Sequence, residues 1–211
     1  MSFVPTHHTN PSFNEALGGV GAQLQEMAEL CMNALDEACK SIDSGDREQA
    51  RAIYAADGRI NRLEESVTGS VASILARHNP VAHDLHALMG SLKMSQELER
   101  LADHAKNIGR RNARLAERDT EVAFKDMVKD LGRRTRKMFA TYLEGIENND
   151  LEKASKAWSM DKGVNSVYTV INTVFIAKNF ERIGDKIKNL AEIAHYQKTG
   201  EVIDFEEHED D

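Results

Sequence analysis

The sequence predicts an all-α protein of two tandem three-helix bundles, six helices in all, with a shortened hairpin between helices 5 and 6. Three observations carry this. The 211 residues include only three prolines and 6% aromatics, and they are rich in the Ala, Leu, Glu, Lys and Arg that favour helices. Apolar residues recur at alternating steps of three and four. One short stretch occurs twice, as Leu98-Glu99-Arg100-Leu101-Ala102-Asp103-His104-Ala105-Lys106-Asn107-Ile108 and as Phe180-Glu181-Arg182-Ile183-Gly184-Asp185-Lys186-Ile187-Lys188-Asn189-Leu190.

Residues 1–12 are polar, carry two prolines and are expected to be disordered. Ser12-x-x-Glu15 reads as a capping box opening helix 1, whose seam is Leu24, Ala28, Cys31, Leu35, Ala38 and Ile42. Gly18, Gly19 and Gly21 weaken its start by about 1 kcal/mol each relative to alanine. Ser44-Gly45 ends it, and Asp46 is placed to cap helix 2. That helix carries Ile53, Ile60, Val67, Val71 and Ile74, with Asp57 and Glu64 on the seam where apolar residues are expected.

Asn79-Pro80 is a stop and restart, with proline at the first position of helix 3. Helix 3 is expected over Val81–Leu115, with an apolar stripe of Leu98, Leu101, Ala105 and Ile108. Helix 4 starts near Glu121 and uses Phe124, Met127, Leu131, Met138, Tyr142 and Ile146. Asn148-Asn149 breaks it and Asp150 caps helix 5. Helix 6 uses Ile176, Phe180, Ile183, Ile187, Leu190 and Ala194. The expected organisation is a first repeat over 13–118, a second over 119–197, and a disordered acidic tail over 198–211.

The repeat extends beyond the doubled stretch. Asp57…Asn61 has its counterpart in Asp161…Asn165, 104 positions on (57 to 161), whereas the Glu-Arg motif recurs after 82 (99 to 181). The second half has thus lost 22 residues between its last two helices (104 against 82). If each arm lost half, both motifs stay level across their hairpins. The midpoint of Asp57 and Glu99 falls at 78, so Asp57 is expected level with Glu99.

Residues four apart share a helix face. Glu99, Asp103 and Asn107 form one oxygen-bearing stripe, and Glu181, Asp185 and Asn189 another. Each should sit opposite an Asp-x-x-x-Asn of the neighbouring helix. Facing carboxylates and amides suit hard or borderline cations such as magnesium, manganese and iron; an ionic network is the competing reading. The candidate metal ligands are Asp57, Asn61, Glu99 and Asp103, and Asp161, Asn165, Glu181 and Asp185.

A di-iron-type oxidoreductase is the alternative from another class. It needs paired Glu-x-x-His elements, and the chain offers Glu192-x-x-His195 once. His83 and His86 read as a solvated helix end, and His104 as a candidate accessory ligand. No phosphate loop or nucleophile signature is present. Arg110, Arg111, Arg114 and Arg118, and Arg133, Arg134, Arg136 and Lys137, form basic clusters, read as solvated faces or as a docking patch for acidic or phosphate groups.

The net charge of −8 argues against a nucleic-acid partner. Cys31 and Cys39 lie roughly 12 Å apart on one helix, too far for a disulfide, and reduced cysteines suit the cytosol. With no signal-peptide-like or membrane-spanning run, membrane association is expected only through partners.

At these motifs the chain resembles the PhoU family of phosphate-transport accessory and signalling proteins, from about residue 13 to 197. The resemblance implies two three-helix bundles side by side and surface metal clusters, of iron or zinc, at Glu/Asp-x-x-x-Asp motifs. It also implies a cytosolic, often dimeric regulator without enzymatic activity, peripheral to the inner face of the membrane. Its partners would be the ATPase subunit of a phosphate ABC transporter and a sensor histidine kinase, and it would restrain the phosphate-starvation response. Ala102 departs from the glycine usual there, and the short second hairpin is a larger departure.

Overall fold

The computed structural model describes residues 10–44, 47–80, 83–117, 125–150, 152–157, 159–160 and 164. All lie within the first of two compact units, Met1–Val164. The described residues are helical apart from turns, with no strand among them. The helices are α1 (Pro11–Ser44), α2 (Arg47–His78), α3 (His83–Glu117) and α4 (Lys125–Glu147), and residues 152–157 open a fifth run. Helix 6, the shortened hairpin, the acidic tail, and Asp161, Asn165, Glu181 and Asp185 lie outside the described residues.

The cap of α1 is Asn10, not Ser12. The Asn10 Oδ1 accepts from the Ser12 and Phe13 backbone N–H groups at 3.1 and 3.4 Å, and Pro11 takes the first helical position, where its missing N–H costs nothing. Of residues 1–12, expected to be disordered, Asn10 caps the helix and Pro11 and Ser12 belong to it. The glycines do not prevent the helix from running through, and Leu24, Ala28, Cys31, Leu35, Ala38 and Ile42 are all buried as expected. So are Ile53, Ile60, Val67, Val71 and Ile74 on α2.

α2 ends at His78, with Asn79 at φ 45° in the left-handed region. α3 is described from His83, and Pro80, expected at the first position of this helix, is itself not helical. Of the expected α3 stripe, Leu98 and Ala105 are buried and Leu101 is half-buried, but the full seam is longer. It runs Leu88, Ser91, Ser95, Leu98, Ala102, Ala105, Gly109, Asn112, an unbroken alternation of three and four. Ile108 lies outside it and is 40% exposed. Apart from Leu88 and Leu98 the seam is made of small and polar residues, so a search for large apolar side chains finds only part of it.

α1, α2 and α3 pack together as a bundle, and α4 lies on α1. α1 and α3 run parallel, since Cys31 meets Leu98 and Ser41 meets Asn112. α4 runs antiparallel to α1: Lys125 and Lys129 pair with Asp43, and Arg136 pairs with Asp36. On α4 Phe139 is buried, while Met127, Leu131, Met138, Tyr142 and Ile146 are half-buried.

The end of α4 follows the break expected at Asn148-Asn149. Asn149 has φ 52°, its N–H reaches the Ile146 carbonyl, and the Asp150 N–H reaches that of Gly145, which is a Schellman closure. The Asp150 Oδ1 then accepts from the Lys153 backbone N–H at 2.9 Å, capping the fifth run as predicted.

Candidate functional site

The facing stripes of the first repeat come together along the α2–α3 groove. Their register differs from expectation. The hairpin tip lies between His78 and His83, past the assumed midpoint at 78, so each residue of α2 meets a partner further along α3. Asp57 lies level with Asp103 and Lys106, and Asn61 shares a cleft with Glu99.

One part of the groove is closed by a lysine. The Lys106 Nζ lies 2.9 Å from the Asp57 Oδ2 and 2.7 Å from the Asp103 Oδ1, tying α2 to α3. The Asn107 amide donates to the Asp103 Oδ2 at 3.0 Å, and the Arg110 guanidinium donates to the Asn107 Oδ1 at 2.7 Å. The Lys106 hydrogen bond holds the Asp103 carboxyl below its ordinary pKa against a desolvation that opposes it, with help from the charges of Lys106 and His104 and the Asn107 amide. The Asp103 hydrogen bond in turn raises Lys106, desolvation opposing and Asp57 reinforcing.

Asp57 is only 7% exposed, because it occupies a seam position between Ile53 and Ile60. Its Oδ1 is buried and accepts no hydrogen bond. An unpaired buried acceptor of this kind costs about 1–3 kcal/mol.

The neighbouring part of the groove is an open cleft lined by Asn61, Glu64, Glu65, Gln96, Glu99 and Arg100. The Glu64 Oε1 accepts from the Thr68 hydroxyl at 3.3 Å, and Arg100 pairs with Glu97. Three glutamates and two amides here leave the cleft acidic. Among the described residues, no three His, Cys, Asp or Glu side chains converge closely enough to hold a metal ion.

Lys106 was legible in the sequence, since both copies of the motif carry a lysine there, Lys106 and Lys188. Its role was not, because only the folded register shows that it bridges two helices. His83, His86 and His104 are exposed. Of the basic clusters, Arg133 and Arg134 share Asp130, and Arg136 fastens α4 to α1.

Residues 24–111 match the family model of the PhoU domain. The chain is 31% identical over 217 positions to the phosphate-specific transport system accessory protein PhoU homolog of Caulobacter vibrioides, covering 94% of each chain. It is 25% identical to the PhoU accessory protein of Escherichia coli K12, covering 92% of this chain and 88% of that one. The crystal structure of PhoU from Pseudomonas aeruginosa aligns with a TM-score of 0.75 at 25% identity, covering 90% of this chain and all of that one.

Proposed function

The chain belongs to the PhoU family, and on that premise we propose that it is a non-enzymatic accessory protein of phosphate uptake. As an adaptor it links the ATPase subunit of a phosphate ABC transporter to a sensor histidine kinase and restrains the starvation response when phosphate is ample. The observation that carries this reading is the end-to-end similarity to proteins named as phosphate-specific transport accessories. The helical bundle supports it, with long polar helix faces available to partners. No described helix is long and apolar enough to cross a membrane, which fits contact with the membrane through those partners. The working form is a homodimer in the cytoplasm.

The same reading includes metal carried on the carboxylate stripes. The donor chemistry of the α2–α3 groove fits iron, manganese or magnesium better than a thiolate-seeking ion. Asn61, Glu64 and Glu99 offer the oxygen donors of the open cleft, and Asp57 and Asp103 those of the lysine-closed part. Zinc is the remaining candidate. Asp161, Asn165, Glu181 and Asp185 would serve the second repeat.

A pull-down from the native host at high and low phosphate tests the adaptor role. Recovery of transporter subunits and a histidine kinase is expected, and recovery of neither sinks it. For the metal, elemental analysis after anaerobic loading should show less metal in Glu99→Ala/Asp103→Ala than in the parent. A parent without metal leaves the ionic network as the whole content of the groove.

A further inference from the structure

We propose that Lys106 is a tethered competitor for divalent metal: its ammonium holds the cation position between Asp57 and Asp103, and a divalent ion reaches those carboxylates only by displacing it. This rests on the metal-carrying reading above. One nitrogen bridges carboxylates from two helices at 2.9 and 2.7 Å, the place a metal would take if the stripes alone decided. The buried carboxylate of Asp57 has an oxygen that the lysine leaves without any donor. An ammonium has three N–H donors and has spent two on single oxygens here. A divalent ion takes six or more oxygens and binds carboxylates through one oxygen or both, so it can use the oxygen that the lysine cannot.

Displacement is mechanically open. The Lys106 side chain is 23% exposed, and its alkyl stem can lie along the helix while the head turns to water. Asn61 and Glu99 line the adjoining cleft a helical turn away, so the ion's remaining positions fall to water. Metal uptake therefore exchanges one staple between α2 and α3 for another and sets an ammonium free on the surface. Lys188 holds the same place in the second copy of the motif.

The test uses the full chain with Glu181→Gln and Asp185→Asn, so that the first groove is read by itself. Manganese(II) binding is measured at about 0.15 M salt, where remote charges are screened. Lys106→Met should bind at least about tenfold more tightly than this parent, a difference of about 1.4 kcal/mol, and adding Asp57→Asn should abolish the gain. Lys40→Met, which removes a lysine paired with Glu37 on α1, should not reproduce it. In the unsubstituted chain, acetylation of Lys106 followed by mass spectrometry should speed up as manganese is added. Equal affinity in parent and Lys106→Met, or Lys106 reactivity indifferent to bound manganese, overturns the competition while leaving the metal reading intact. No binding by either chain overturns both. The acetylation arm needs no substitution at Lys106, so a poorly folded variant does not shield the proposal.

Discussion

Ser41 and Asn112 show how narrowly a buried polar group is constrained here. The Ser41 hydroxyl donates to the Ala38 carbonyl at 2.7 Å and accepts from the Asn112 amide at 2.9 Å. Ser41→Ala removes that acceptor and leaves a buried amide donor unpaired, a cost of about 1–3 kcal/mol; denaturant unfolding should show the loss as a lower midpoint. Cys31 is a second case. Burial pushes its thiol up to about 12, and its S–H points at the Leu98 carbonyl at 3.1 Å. The unfolded chain releases this proton near the ordinary thiol value of about 8.5 and the folded chain does not. The folded state then holds more protons, so stability falls as pH rises through that window, by up to about 1.4 kcal/mol per pH unit. Cys31→Ala should flatten the decline in melting temperature between about pH 9 and 11, and an unchanged slope would count against the thiol as its source.

At the level of elements, α4 is held to α1 by close approach as much as by charge. A β-carbon at Gly132 would sit 2.9 Å from the Cys39 Sγ, so any larger residue there must push that sulfur out of its present position. Gly132→Ala should cost about 1–3 kcal/mol by overpacking. Adding Cys39→Ala should restore a good part of it, since the obstructing sulfur is then gone. A double variant no more stable than Gly132→Ala would place the strain elsewhere. Gly145 permits a different close approach, between α4 and the fifth run, where a β-carbon would lie 2.7 Å from the Ala154 Cα. The ion pairs of Asp43 and Asp36 along the same seam are exposed and contribute less, as surface pairs generally do.

For the whole molecule, the 22-residue difference in motif spacing (104 against 82) leads to a prediction about the second repeat. The alignment to the Caulobacter relative runs over 217 positions while covering 94% of this chain, whose length is 211. The relative therefore has residues that this chain lacks. A stunted helix 5–helix 6 hairpin, with arms about 16 Å shorter than those of the first repeat, keeps Asp161 and Glu181 neighbours. A continuous helix would put them about 30 Å apart and would require helix exchange between two chains to rebuild the site. Asn172 is a tolerable turn residue, and the hairpin is the expected form. Spin labels at 161 and 181 in isotopically diluted protein should report a short intrachain distance; one near the helical length would establish the exchanged form.

By itself, the sequence determined the helical class, the first four helices to within a few residues and the breaks at Asn79 and Asn149. It also determined which carboxylates line the groove between α2 and α3. These follow from local spacing: a period of three and four residues and a left-handed asparagine are properties of short segments. The cap at Asn10, the seam of α3 and the pairing of Asp57 were decided by tertiary structure. Asn10 and Ser12 are both good caps, and only the helix that forms chooses between them. Apart from Leu88 and Leu98, the α3 seam is built of Ser91, Ser95, Ala102, Ala105, Gly109 and Asn112, which become interior because α1 and α2 lie against them. Asp57 meets Lys106 rather than Glu99 because the chain turns between His78 and His83, and moving the tip by a few residues shifts every pair across the hairpin.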